Sequence, residues 1–286
     1  MKCAGFTIGF SGVFLALLAE IILVAGRDTP FAQVLAAISI MVVIAHTMLA
    51  FGRVEAAAFV VICLVVTFSV ESIGTSTGIP FGHYAFLVGP NFPHVGLIPL
   101  IVGPLYVGMG YPSWVIANLI LNGMVHRPAS RLELVALPVI AAFVMVQWDV
   151  VMDPGGSTLA RAWVWYDGGG FFGVPLSNFL GWFVVTYIYF QAFSLFAFLR
   201  RSRPDHPNRS FWFWAVPVLL YLAAGLCHIP PLFDADAQLV DGAHRVWSAA
   251  ALRETAAIVM LFTMLPSALL ALLRLGRARA DNFRAD

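Results

Sequence analysis

Apolar stretches of about 20 residues recur eight times along this chain, and no other feature restricts its architecture so strongly. They fall near 6–25, 31–51, 55–74, 96–121, 133–152, 174–199, 210–227 and 247–273. Each is long enough to cross a bilayer as a helix, a form that satisfies every backbone N–H and C=O within the segment. Composition agrees: 60% of residues are hydrophobic and 11% charged, against about 25% charged in soluble domains. The expected fold is all-α, a polytopic transmembrane helical bundle of about eight spans forming one integral membrane domain over 1–286. The span holding Pro99, Pro104 and Pro112 is expected to kink or break. The start of the chain, Lys2 and then "FTIGFSGVFLALLAEIILVAG", imitates a signal peptide. Its length, the interrupting Glu20 and the spans that follow make it a retained first helix. A formal charge of +1 gives no basis for a nucleic-acid partner or a polybasic membrane clamp. Cys3, Cys63 and Cys227 are too scattered for a metal knuckle or a disulfide framework and read as apolar fillers.

The basic residues orient the bundle. With the N-terminus inside, the inner segments hold Lys2, Arg53, Arg127, Arg131, Arg200, Arg201, Arg203, Arg209, Arg274, Arg277, Arg279 and Arg284, while the outer ones hold Arg27, Arg161, Arg245 and Arg253. Twelve against four places both termini in the cytoplasm and the protein in the cell membrane as a multi-pass chain. Glu20, Glu71, Asp149, Asp153 and Glu254 then share the outer halves of their helices. The segments 75–95 and 153–173 share that side. Both are rich in glycine, proline and aromatics and hold a single Arg or Lys, Arg161, so they read as re-entrant or interfacial folds over the bundle. A weak repeat runs through them: helix, acid at its outer end, aromatic-glycine segment, then a proline-containing start to the next helix ("GLIPL", "FGVPL").

The stretch "QWDVVMDPGG" (147–156) carries the chemistry. Asp149 and Asp153 lie one helical turn apart on one face, about 6 Å along the axis, with no basic residue nearby. Such acids are either helix-end groups bathed in interfacial water or a functional site. Intramembrane acids without basic partners, with Glu71 at the matching point of the third stretch, point to the second. Two neighbouring carboxyls in a partly dry site cannot both ionise easily, which makes one a proton donor and the other an acceptor. Trp163, Trp165, Tyr166, Phe171 and Phe172 form either an interfacial aromatic belt or one wall of a pocket for a long unsaturated ligand, whose developing carbocation aromatic faces would stabilise.

Other motifs weigh less. "GGGFFG" (168–173) matches a dinucleotide fingerprint but follows no strand and opens no βαβ unit. His46, His83, His94, His126, His206, His228 and His244 never approach metal-ligand spacing, which argues against the histidine boxes of membrane desaturases and makes each a structural histidine. The DxxxD of Asp149 and Asp153 also suits a magnesium-diphosphate site of a membrane prenyltransferase. Asp234, Asp236 and Asp241 with Arg245 are the candidates for the second cluster such enzymes need. A proton-coupled or lipid transporter, with the acids as a relay, is the alternative from another class.

"ESIGTSTGIPFGHYAF" (71–86) and "WDVVMDPGGSTLARAWVWYDGGGFFGVPLSNFLGW" (148–182) resemble the CruF-type carotenoid biosynthesis family, membrane proteins that include carotenoid hydratases. The motifs E-x-x-G, T-G-x-P-F-G, D-x-x-x-D-P, W-x-W and G-x-P-x-x-N-F-x-G-W carry it over roughly 55–200, with Phe86 standing where a second tyrosine is expected. The resemblance implies addition of water across the terminal C=C of an acyclic carotenoid end group, giving a tertiary alcohol. Glu71, Asp149 and Asp153 are then the catalytic candidates, and Tyr84, Trp163, Trp165, Phe172, Asn178 and Trp182 the substrate-binding ones. The partners implied are a membrane-dissolved carotenoid, water and other enzymes of that pathway. No metal, nucleotide or flavin motif is present, so no cofactor is expected. Without a directed water the same machinery would cyclise or isomerise.

Overall fold

The computed structural model describes residues 2–26, 29–87, 93–200 and 209–285, and within these the side chains of residues 12–277. Several residues of the charge, histidine and cysteine arguments lie outside those limits: Lys2, Cys3, Arg27, Arg201, Arg203, His206, Arg279 and Arg284. The chain is mostly helical, with α1 (Lys2–Val24), α2 (Pro30–Thr77), α3 (Val102–Asn122), α4 (Arg131–Pro154), α5 (Leu176–Leu199), α6 (Phe211–Leu226), α7 (Ala249–Phe262) and α8 (Met264–Ala285). Three short antiparallel ladders connect them: β1 (Tyr84–Phe86) with β4 (Trp163–Trp165), β2 (His94–Val95) with β3 (Ile98–Pro99), and β5 (Gln238–Val240) with β6 (Val246–Ser248).

Among the described residues, five helical stretches are long and apolar enough to cross a membrane: Pro30–Thr77, Arg131–Leu159, Leu176–Leu199, Phe211–Phe233 and Ala249–Arg277, with a shorter apolar helix at Gly12–Val24. The difference from the eight stretches in the sequence has physical causes. Two of the eight lie in α2, which Gly52 interrupts with φ 79° and ψ 170°, a conformation that a residue with a Cβ resists. The two arms run in opposite senses along α3. On the first arm Ile40 lies against Gly108 and His46 against Tyr111, while on the second Glu71 meets Tyr106 and Phe59 meets Tyr111. Glycine at the break thus turns one long helix into a hairpin. Helix α3 itself sits inside the bundle, packed by α2, α4, α6 and α8, and its Tyr106, Tyr111, Ser113, Trp114 and Asn118 are all buried. A helix surrounded by protein can carry polar and aromatic groups that lower its hydropathy. Pro99 falls in β3, and α3 continues through Pro104 and Pro112, so the expected break comes before this helix and not within it. Large apolar side chains such as Val13, Phe143, Leu180 and Phe262 face outward, as contact with lipid requires.

The two ends of the bundle differ. At one, Glu55 accepts from Arg127 Nη2 at 3.1 Å and from Arg200 Nε at 2.9 Å, and Arg209 donates to the Leu49 carbonyl. At the other, the β1–β4 ladder ties segments 75–95 and 153–173 together. Tyr84 is opposite Trp165 and Phe86 opposite Trp163, with flanking bonds from Tyr166 N–H to the His83 carbonyl and from Leu87 N–H to the Ala162 carbonyl.

Candidate functional site

Helix α2 ends at Gly78, whose φ of 78° lets its N–H reach the Gly74 carbonyl and turns the chain back over the helix end. That reversal brings Tyr84 onto Glu71, about two turns before the cap. Helix α4 ends differently. Beyond Pro154 it widens into a π-helical turn over Gly155–Leu159, a feature frequent at functional sites. The widening brings β4 back across the helix, and any side chain at Gly156 would run into the Trp163 ring. Both acids are therefore covered by the strand that follows their own helix.

A cavity of about 80 Å³ lies beneath this cover, lined by Glu71, Tyr84, Tyr106, Trp148, Asp149, Asp153, Trp163, Trp165, Asn178 and Trp182 among others. All three acids are buried, with Asp149 and Asp153 at 1% exposure. Glu71 accepts a hydrogen bond on each oxygen, from the Tyr84 hydroxyl and, at 3.0 Å, from the Tyr106 hydroxyl. Asp153 accepts from Trp163 Nε1 at 2.8 Å and Trp165 Nε1 at 3.2 Å on one oxygen, and from Asn178 Nδ2 at 2.5 Å on the other. Three N–H donors suit a carboxylate, which only accepts. The same Asn178 amide donates to Asp149 Oδ2 at 3.1 Å, and Asp149 Oδ1 is buried without a hydrogen-bond partner among the described residues.

The sequence repeat reappears here as geometry. Glu71 and Tyr84 are 13 residues apart, Asp153 and Trp165 12 apart, and Tyr84 and Trp165 are register partners whose rings lie 4.8 Å apart. Glu71 takes one donor from the strand after its helix and Asp153 two, and each takes one more from the next helix, Tyr106 on α3 or Asn178 on α5. The two half-sites face each other across the ladder.

Of the nine residues singled out from the sequence, eight meet at this cavity. Phe172 does not. With φ 52° it turns toward Trp247, ring centroids 5.3 Å apart, and its carbonyl accepts from Thr158, so it packs the neighbouring β5–β6 hairpin. Glu20 and Glu254 are exposed and take no part. The acids proposed for a second diphosphate cluster are engaged elsewhere: Asp236 accepts from Ala237 N, Ala250 N and Ser248, and Asp241 from Arg245, Trp247 and the Ala243 N–H. Sequence reasoning missed Tyr106 and Trp148. Tyr106 stacks on Trp182 at 4.3 Å with an interplanar angle of 8°, and Trp148 meets Trp182 edge-on at 5.9 Å. Trp148 adjoins Asp149 and was visible in the motif, but Tyr106 lies in an apolar run that offers no local signal.

A family described as carotenoid biosynthesis protein matches residues 31–230. Bisanhydrobacterioruberin hydratase of Haloarcula japonica is 27% identical to this chain over 119 residues, which cover 41% of this chain and 37% of that protein. The chain thus spans just over a third of the length of that relative. No solved structure matches. Every residue lining the acid cavity falls inside the family's matched range, and the chain belongs to the carotenoid biosynthesis protein family.

Proposed function

We propose that this protein hydrates the terminal C=C of an acyclic carotenoid end group. The observation that carries the reading is the division of labour among three buried carboxyls: Glu71 and Asp153 have both oxygens occupied by donors, whereas Asp149, which also lines the cavity, keeps one buried oxygen without a hydrogen-bond partner among the described residues. Asp149 delivers a proton to the less substituted alkene carbon, and the π pair becomes the new C–H bond. The tertiary cation left behind lies against Trp148, Trp182 and Tyr106, whose faces stabilise positive charge. Asp153 directs a water onto the cation, the C–O bond forms, and the water's second proton passes to Asp153. A proton shift between the two carboxyls, which share the Asn178 amide, restores the starting state. The sum is alkene plus water giving a tertiary alcohol. Glu71 holds negative charge beside the cation and fixes the two tyrosines.

The topology of the reading is eight crossings, with the two arms of α2 and helix α3 each counted, and both termini in the cytoplasm. Arg127, Arg200 and Arg209 at the end opposite the acids support that orientation. Cyclisation of the same cation is the alternative outcome if no water is directed. The test is expression with lycopene as the acyclic carotenoid in labelled water. Products heavier by one water per modified end, with the label in the new hydroxyl, are expected. Oxygen drawn from molecular oxygen, or a ring without oxygen, would overturn hydration. Unchanged pigment in a deletion strain would favour a carrier.

A further inference from the structure

We propose that a second cavity, of about 800 Å³, binds the polyene chain of the same substrate molecule whose end group enters the acid pocket; the identity of that substrate rests on the hydration reading above. The acid pocket, at about 80 Å³, has room for an end group and no more, whereas cavities that bury whole ligands run to about 300–1,000 Å³. The remaining chain of a carotenoid must leave through a contiguous apolar space. The larger cavity adjoins the acid pocket: Leu105, Trp148, Met152 and Trp163 line both. Its other walls come from α1, the first arm of α2, α6 and α7, and are mostly apolar.

The charged groups of the cavity lie on one side. Arg253, anchored on the carbonyls of Asp234 and Ala235, stands with His228 and Asp234 where α6 ends and α7 begins, while Val43, Val151 and Leu220 line the deeper part. A linear hydrocarbon passes from lipid into the deep part at no desolvation cost, since lipid tails and these walls are alike apolar, and close packing then holds it. Trp148 and Trp163 stand at the junction, so the chain threads between them before its last carbons reach Asp149.

The proposal is tested by binding, not turnover. The purified full chain in lipid nanodiscs is titrated with lycopene, read by quenching of tryptophan fluorescence. Ala36 and Ala224 line the larger cavity but not the acid pocket. Ala36→Phe and Ala224→Phe should each raise the half-saturating concentration at least about tenfold by filling it, while Asp167→Asn, at an exposed acid outside both cavities, should bind like wild type. A short acyclic polyene with the same end group should bind wild-type protein at least about tenfold more weakly than lycopene, a comparison that needs no variant to fold. Equal affinity of long and short polyenes, or wild-type binding by both folded fillers, would overturn the chain site. Cavity-dependent binding with no hydrated product would leave the chain site standing and remove the hydration reading.

Discussion

Replacing Asp149 by asparagine keeps the volume and polarity of the side chain and removes only the transferable proton. In the native site Asp149 Oδ2 accepts from Asn178 at 3.1 Å, a role the asparagine carbonyl can keep, so its amino group takes the place of the unpartnered oxygen. Asp153 retains its three donors, and the aromatic walls are untouched. Loss of a general acid costs about 10²–10⁴ in rate, so turnover should fall at least about 100-fold, which is about 2.7 kcal/mol on the barrier. The half-saturating carotenoid concentration should move by less than about threefold, because the binding surface survives. Product is measured per unit of folded, membrane-inserted protein, with water-labelled tertiary alcohol as the readout. Turnover within about threefold of wild type would refute the assignment and require the proton to come from another group.

Glu71→Gln should also lower turnover by about 100-fold, since it removes negative charge beside the cation; product per folded protein is again the measure. Tyr106→Phe should cost about 1–3 kcal/mol in stability by stripping a donor from a buried carboxyl, visible as a lowered Tm in nanodiscs. Glu55→Gln leaves Arg127 and Arg200 without their shared counterion and should cost about 3 kcal/mol or more, with turnover per folded molecule unchanged. Asp167→Asn should leave turnover within about twofold, because this exposed acid, held below the usual carboxylate range by the His83 ring and N–H, touches nothing in the cavity. Burial opposes the charge of Asp241, but the Trp247 indole, the Arg245 N–H and the Arg245 guanidinium outweigh it and hold its carboxyl below the ordinary 3.8. A depressed folded pKa adds stability above the ordinary value and loses it as pH falls through the folded one. Hydrogen exchange of residues 238–248 should therefore accelerate only below about pH 4.

The helices were legible because spanning a bilayer demands long apolar runs, and each of the eight stretches falls on or across a helix. The acid cluster was legible for the converse reason: carboxyls in an apolar setting without basic neighbours stand out in a sequence. What could not be read depends on chain reversal. The direction of the α2 arms turns on one dihedral pair at Gly52, and neither its flanks "AF" and "RV" nor local propensity announces a hairpin. Phe172 lies on the same segment as Trp163 and Trp165, yet its φ of 52° rotates it out of the cavity. Tyr106 reaches Glu71 only because α3 lies inside the bundle, a tertiary fact with no trace in the periodicity of "IVGPLYVGMGYP".

In the proposed mechanism one acid, and not two, is the donor, and the two facing half-sites offer a reason. Four residues before Asp153 stands Asp149; four residues before Glu71, on the matching face of α2, stands Thr67. Thr67 is fully buried, and its hydroxyl, beside the Cys63 thiol, makes no hydrogen bond of ordinary geometry. A hydroxyl is far too weak an acid to protonate an alkene, so in the proposed mechanism the α2 half has no counterpart of Asp149. If Thr67 has no part in proton transfer, Thr67→Val, which preserves shape and removes an unpartnered buried hydroxyl, should change stability little or raise Tm slightly. Turnover should stay within about threefold. A loss of about 100-fold in a folded Thr67→Val protein would mean that both halves move protons, and that the asymmetry between Asp149 and Thr67 does not set the direction of the reaction.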